Sequence, residues 1–179
     1  MNRRTLALPA VLKPEALVAV VDSREQRPYS LAPMRSVVRG LDAGDYSLVG
    51  LEAVVRVERK SLPDFVACCG RERERFVREL VKLRGFEYAA VVLEASWRDL
   101  EAGRWEGLVK PSVVVGSALS WSMEYVPILL AHDRAGGERA CRGFLWTAAR
   151  HTFGRTRAFR DTLVRAVFES EPASCGAGR

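Results

Sequence analysis

No apolar run in the sequence approaches the roughly 18 residues of a membrane-spanning helix, which excludes a helical span. The first fourteen residues, Met1–Pro14, carry Arg3 and Arg4 but only a short apolar piece broken by proline. That composition argues against a secretory leader, and the expected compartment is the cytoplasm. Cysteine is sparse: Cys68 and Cys69 are adjacent, Cys141 and Cys175 are isolated, and no pair has the spacing of a zinc knuckle. Buried or idle thiols are expected, and cysteine chemistry is not the function. Lysine is scarcer still, with four residues against 24 arginines, and there is a single asparagine and a single isoleucine. Such a bias is expected of a GC-rich genome, bacterial or phage. No internal repeat and no long linker divides the 179 residues, so one domain with a sizeable core is expected.

The net charge of +6 is modest, but its placement is uneven. Residues 134–165 hold eight arginines against Glu138 and Asp161, so this one region accounts for the whole excess. A concentrated basic face suits a polyanionic partner, because each neutralised phosphate releases counterions; a solvated helix face is the alternative. Strand-like runs alternate with helical ones along the chain. Leu17–Asp22 and Tyr88–Glu94 read as buried strands ending in an acid, with Ser36–Leu41 a weaker candidate and Val126–Leu130 a further one. Tyr46–Val49 and Ala53–Glu58 read as an antiparallel pair joined at Gly50-Leu51. Ser61 and Ser96 look like capping residues, Arg71–Arg84 is the clearest amphipathic helix, and Ser112–Met123 is a well-packed one. In Arg71–Arg84, Val77 and Val81 are expected beside the Phe76–Leu80–Leu83 stripe, and Glu74 is expected to pair with Arg78. Gly136-Gly137 is expected to break the chain before a helix over 138–151, followed by a separate helix over 156–169. The resulting divisions are an N-terminal segment 1–16, a domain over 17–153, a C-terminal helix over 154–169 and a disordered tail over 170–179. Alternation of this kind predicts an α/β fold with a mixed central sheet flanked by helices on both faces.

The chemistry concentrates between Gly44 and Asp64. Residues two apart on a strand share a face, so Glu58 and Lys60 point together while Arg59 points away. The hairpin brings Asp45 beside Glu58. Two carboxylates with a nearby backbone carbonyl form a hard-oxygen site suited to Mg²⁺, where bound water is activated and a scissile phosphate is held. Lys60 would orient that water or neutralise phosphoryl oxygens. In a chain that uses arginine six times as often as lysine, a lysine at this position is informative, since a compact, titratable ammonium differs chemically from a guanidinium. A plain surface ion pair between Glu58 and Lys60 is the competing reading.

These motifs resemble those of the XPF family of structure-specific DNA endonucleases, whose nuclease domain carries Gly-Asp, a variable gap, Glu-Arg-Lys, three residues and Asp. Here they are Gly44-Asp45, Glu58-Arg59-Lys60 and Asp64, and Val20–Glu25 matches the first-strand motif. Gly70-Arg71 through Phe76 and the strand ending at Glu94 fall where the family has its next helix and strand, so the resemblance spans about Leu17 to Arg150. It implies a restriction-endonuclease-like fold that hydrolyses DNA with Mg²⁺ or Mn²⁺. By that resemblance Asp45 and Glu58 would be metal ligands, with Asp22 supporting the metal or a second ion. Lys60 would be the catalytic lysine, Arg59 would act on substrate or behind the site, and Glu25 and Asp64 would complete the acidic cluster. Asp64 is equally explained as a helix cap, Arg24 as a phosphate contact or a partner of a site carboxylate, and Glu94 as the start of the next helix. The expected DNA-contacting residues are Arg24, Arg59, Arg71, Arg139, Arg142 and Arg150.

One departure from the family is that the residues after the core lack the Gly-x-Gly hairpins expected of its tandem helix-hairpin-helix module. The arginine-rich region would substitute for it, or a partner protein would supply DNA-structure choice. A homodimer through Phe159 and Leu163 is the other expected association. A metal-dependent endonuclease acting on branched, flap or nicked DNA in repair or recombination is therefore expected. A non-catalytic DNA-binding subunit and a sequence-specific restriction-type nuclease are the alternatives.

Overall fold

Short apolar runs that end in acids become the strands of a single sheet. In the computed structural model, which describes residues 10–168, the strands are β1 (Val18–Asp22), β2 (Arg35–Arg39), β3 (Tyr46–Leu48), β4 (Val55–Ser61), β5 (Tyr88–Glu94) and β6 (Ile128–Leu130). Their order is β2-β1-β3-β4-β5-β6. β3 runs antiparallel to both β1 and β4, while β1–β2, β4–β5 and β5–β6 are parallel. The sheet is therefore mixed, with helices on both faces. Among the described residues no helix is long and apolar enough to cross a membrane. They divide into two compact units, residues 13–148 and a smaller one of residues 10–12 with 149–168.

The chain in 13–148 builds its larger core on one face of the sheet. Ser61 caps α1 (Leu62–Cys69), Gly70 ends it, and α2 (Arg73–Leu83) follows at once. Ser96 caps α3 (Trp97–Ala102) with a reciprocal bond to Asp99, and α4 is Pro111–Glu124. Phe65, Phe76 and Trp121 from α1, α2 and α4 meet edge to face, with ring centroids 5.1–6.4 Å apart. Val91 and Leu93 of β5 pack into the same cluster. Each such fully buried side chain contributes roughly 1.5–3 kcal/mol. On α2 the buried residues are Phe76, Leu80 and Leu83. Val81 is instead 56% exposed, because its position lies about 100° round the helix from Leu80. The α2 ion pairs join Arg75 to Glu72 and Glu79. All three described cysteines are buried and free; burial pushes the Cys68 thiol up to about 12 and Cys69 to about 11.

The expected break at Gly136-Gly137 does not occur. A single helix, α5 (Arg134–Phe168), runs straight through both glycines and through the residues expected to begin a separate last helix. The glycines serve close approach instead. A Cβ at Gly136 would stand 1.7 Å from the Ala131 carbonyl oxygen, and one at Gly137 would stand 2.2 Å from the Tyr29 hydroxyl. Glycine lets this start of α5 sit directly on the face of the sheet opposite Phe65, Phe76 and Trp121. The tail expected to be disordered, 170–179, lies outside the described residues, as does Cys175.

Gly137→Ala should destabilise the protein by about 1–3 kcal/mol, because the added methyl must displace a tethered tyrosine. Gly143→Ala, in the same helix with nothing within 4 Å of the new Cβ, should instead stabilise by roughly 0.5–1 kcal/mol. Urea denaturation of the two variants distinguishes a packing glycine from a helix-weakening one.

Candidate active site

The alternation of β4 divides its charged residues between the two faces of the sheet. Glu58 and Lys60 face the α1–α2–α4 side, and Arg59 faces α5. Asp45 reaches Glu58 because Gly44, at φ +70, turns the chain into β3, where a Cβ would meet the Val57 carbonyl oxygen at 3.1 Å. The Asp45 amide then donates to the Val57 carbonyl at 2.8 Å, and its carbonyl accepts the Asp22 amide at 2.8 Å. Three strands thus meet at one cleft of about 280 Å³, lined by Arg24, Asp45, Glu58, Lys60, Arg75 and Glu79 among others.

Within the cleft Lys60 Nζ donates to Glu58 Oε1 in a very short contact, and the two side chains are only 12% and 10% exposed. Burial alone would pull the Lys60 ammonium down, but the Glu58 carboxylate outweighs it and holds the lysine protonated. Burial pushes Glu58 up, with the Lys60 charge opposing it. Asp45 is pushed up to about 7, first by burial and then by the Glu58 charge, although the Arg59 amide donates to its Oδ2 at 2.7 Å. Among the described residues no hydrogen bond reaches Asp45 Oδ1 or Glu58 Oε2. The site therefore crowds the Asp45 and Glu58 carboxylates, with the Lys60 ammonium bonded to Glu58. That is a donor set that a hard cation relieves, and Mg²⁺ needs only one or two carboxylates with water in its remaining positions. Among the described residues no group of three His, Cys, Asp or Glu side chains converges on a metal position, so the fit rests on this pair and water.

Asp22 lies at the edge of the cleft, behind Arg24, with both oxygens engaged. Oδ1 accepts the Arg24 amide at 2.8 Å and Arg24 Nε at 2.7 Å; Oδ2 accepts Arg24 Nη2 at 3.2 Å and the Leu41 amide at 2.6 Å. Burial would raise this carboxyl, but these donors hold it below its ordinary value. Arg24 is fixed there while its side chain stays 71% exposed at the cleft mouth.

On the other face Arg59 forks onto Glu94, with Nε–Oε1 2.8 Å and Nη2–Oε2 3.1 Å, and lies 3.6 Å from Glu25. Tyr29 donates its hydroxyl to Glu94 at 2.8 Å and stacks on Tyr46, whose own hydroxyl accepts the Tyr29 amide at 2.9 Å. Arg134, at the start of α5, adds its charge 3.8 Å from Glu94 and lies over the Tyr29 ring. Burial would raise Glu94, yet Arg59 and Tyr29 hold it low.

The structure brings Asp45, Glu58 and Lys60 into the cleft, with Asp22 and Arg24 at its edge. Glu25, Arg59, Ser61 and Asp64 line an adjoining opening. Asp64 is exposed and bonds Ser61 as a cap does. Arg71 is solvent-exposed and lies away from the cleft residues in its contacts, pairing only loosely with Glu72 at 3.7 Å. Arg139 and Arg150 are exposed, and Arg142 donates to the Ala32 carbonyl at 2.8 Å.

No family model matches the chain, and no curated protein matches it in sequence. Solved structures do. XPF from Aeropyrum pernix superposes with a TM-score of 0.59 at 19% identity, over 73% of this chain and 61% of that one. The same protein in complex with DNA gives 0.54 at 17% identity, over 75% of this chain and 66% of that one. The fold is that of XPF. The chain spans under two thirds of the length of those XPF structures.

Sequence reasoning missed Glu79, Tyr29 and Arg134 and left Glu94 as a helix start. The run Tyr88–Glu94 had the signal: Glu94 is two residues beyond Val92, the register partner of Arg59, so both fall on one sheet face.

Asp45 supplies a pH dependence. Between its ordinary value of 3.8 and about 7, the folded chain binds a proton that the unfolded chain does not, so stability falls as pH rises through this window. In chelator, Asp45→Asn should therefore gain on wild type from pH 4 to pH 8. Asp45 is only part-buried and its titration is linked to the Glu58 charge, so that gain should be about 1–3 kcal/mol, less than the roughly 4 that three pKa units would carry. Denaturation curves at the two pH values measure it, and equal gains at both would assign the change to packing.

Proposed function

We propose that this chain is a metal-dependent DNA endonuclease that hydrolyses phosphodiester bonds, with Mg²⁺ or Mn²⁺ held by Asp45 and Glu58. The observation that carries the reading is the pair of carboxylates crowded beside one ammonium, on a fold shared with XPF. A divalent cation bound there would supply charge stabilisation for the phosphoryl group and activate water. Lys60, kept protonated and on the same face as Glu58, is placed to neutralise a phosphoryl oxygen. Arg24, anchored by Asp22, offers an exposed guanidinium to the neighbouring phosphate. Arg59 does not face the reacting atoms; through its backbone amide it orients Asp45, and its side chain is committed to Glu94 and Glu25. Asp22 is assigned to holding Arg24, since its four accepted bonds leave no lone pair aimed at the cleft.

The substrate class follows from the surroundings. Exposed Arg139 and Arg150, with Arg142, suit a phosphate backbone rather than base edges. The solved neighbour in complex with DNA supports DNA as the ligand, and flaps, forks and nicks in repair or recombination are the proposed structures. Phe159 and Leu163 are exposed on α5, as a surface pairing with a second copy or a partner protein requires. The competing reading, a DNA-binding subunit without catalysis, is the one to exclude.

The test is incubation of the full chain with labelled 3′-flap, fork, nicked and linear duplexes, in Mg²⁺ and in chelator. Cleavage should need metal and fall by at least about 10²-fold in Asp45→Ala and Lys60→Ala, with DNA binding retained. Binding without cutting under Mg²⁺ or Mn²⁺ would leave the subunit reading standing. Replacing Arg139, Arg142 and Arg150 together by alanine should reduce the slope of log affinity against log salt by roughly 2–3, measured by fluorescence anisotropy.

A further inference from the structure

Glu79 of α2 lines the same cleft as Asp45, Glu58 and Lys60 and is not used by the chemistry above. Its Oε1 accepts Arg75 Nη1 at 2.9 Å. Its Oε2 is buried with no hydrogen-bond partner and lies 3.9 Å from Lys60 Nζ. A buried carboxylate oxygen left unpaired is costly, so its placement beside an ammonium needs a reason.

Lys60 has three N–H donors, and its bond in the cleft goes to Glu58 Oε1, over the Phe76 ring at 5.1 Å. Glu58 is also the residue whose oxygens the proposed function gives to a cation. An oxygen shared between a divalent cation and an ammonium is a poorer acceptor for each, because the two positive charges repel. Once Glu58 turns to a cation, Lys60 needs another acceptor or it swings towards solvent. The unpaired oxygen one short step away is that acceptor, and Arg75, itself held by Glu72 and Glu79, keeps the Glu79 side chain extended towards it. We propose that Glu79 is the positioning residue that holds Lys60 at the cleft when Glu58 is engaged by a divalent cation. The inference rests on the reading of Glu58 as a cation ligand.

The scarcity of lysine makes the proposal directly readable. Only Lys13, Lys60, Lys82 and Lys110 exist in the chain, so acylation of each by an amine-reactive ester can be followed by peptide mass spectrometry, with Lys13 and Lys110, which lie outside the cleft lining, as internal references. Wild type should protect Lys60 equally in chelator and in Mg²⁺. Glu79→Ala should protect it in chelator, where Glu58 holds it, and expose it severalfold in Mg²⁺. Glu79→Gln keeps the shape and the Arg75 bond if the helix tolerates alanine poorly, and it should show the same metal-dependent exposure. In single-turnover cleavage the variants should lower the rate of the chemical step with the apparent affinity for DNA unchanged, and Glu79→Asp should recover part of the rate. Protection of Lys60 in both variants with Mg²⁺ bound, as established by calorimetry, overturns the role of Glu79 alone. Exposure that is equal with and without Mg²⁺ overturns it as well, because Glu79 would then hold Lys60 at all times. Absence of any Mg²⁺ binding in wild type overturns the metal reading and this inference together.

Discussion

Charge buried at the end of β4 constrains everything around it. Glu58, Arg59 and Lys60 are consecutive, largely shielded from water, and forced by the pleat onto alternate faces of the sheet. A buried ion without a partner costs several kcal/mol, so each face must supply compensation from elsewhere in the chain. On one face Glu58 and Lys60 answer each other, with Asp45 and Glu79 brought up from β3 and α2. On the other, Arg59 demands Glu94, and Glu94 in turn collects Tyr29 and Arg134. The strand order follows this need, for β3 and β5 lie on either side of β4 and contribute Asp45 and Glu94 respectively.

The two faces differ in how well that compensation succeeds. On the Arg59 side the Arg59–Glu94 fork and the Tyr29 hydroxyl are hydrogen-bonded, and together they behave as a fixed floor. On the Glu58 side, burial first and the Glu58 charge second push Asp45 up to about 7, so this side keeps a proton close to neutrality. A rigid floor beneath an unbalanced wall is a physical arrangement in which binding a cation removes strain rather than creating it. It also explains why Asp45 takes its backbone donor from Arg59: the residue anchored most firmly sets the position of the one that is least settled.

Much of this was legible in the sequence, and for identifiable reasons. Strands that end in acids, the capping serines Ser61 and Ser96, and the Gly44-Asp45 turn are encoded locally, so their positions could be read to within two residues or so. The facing of Glu58 and Lys60 followed from strand periodicity alone. What could not be read depends on tertiary approach. Gly136 and Gly137 look like a helix break because propensity favours one, yet they mark where α5 rests on the sheet. Asp22 reads as a further ligand by its place at a strand end, but the nearby Arg24 and the Leu41 amide occupy it. Glu79 carries no local signal at all, since an exposed-looking acid on an amphipathic helix is commonplace.

Arg24 shows what such occupation accomplishes. Its guanidinium is mostly open to solvent, yet two bonds to Asp22 and one to the Leu41 carbonyl at 2.8 Å already fix its direction. An arginine free to rotate surrenders roughly 1.5–2 kcal/mol of side-chain entropy when it grips an anion. Here folding has absorbed that loss beforehand, so an anionic ligand reaching the cleft meets a cation that no longer has to be ordered.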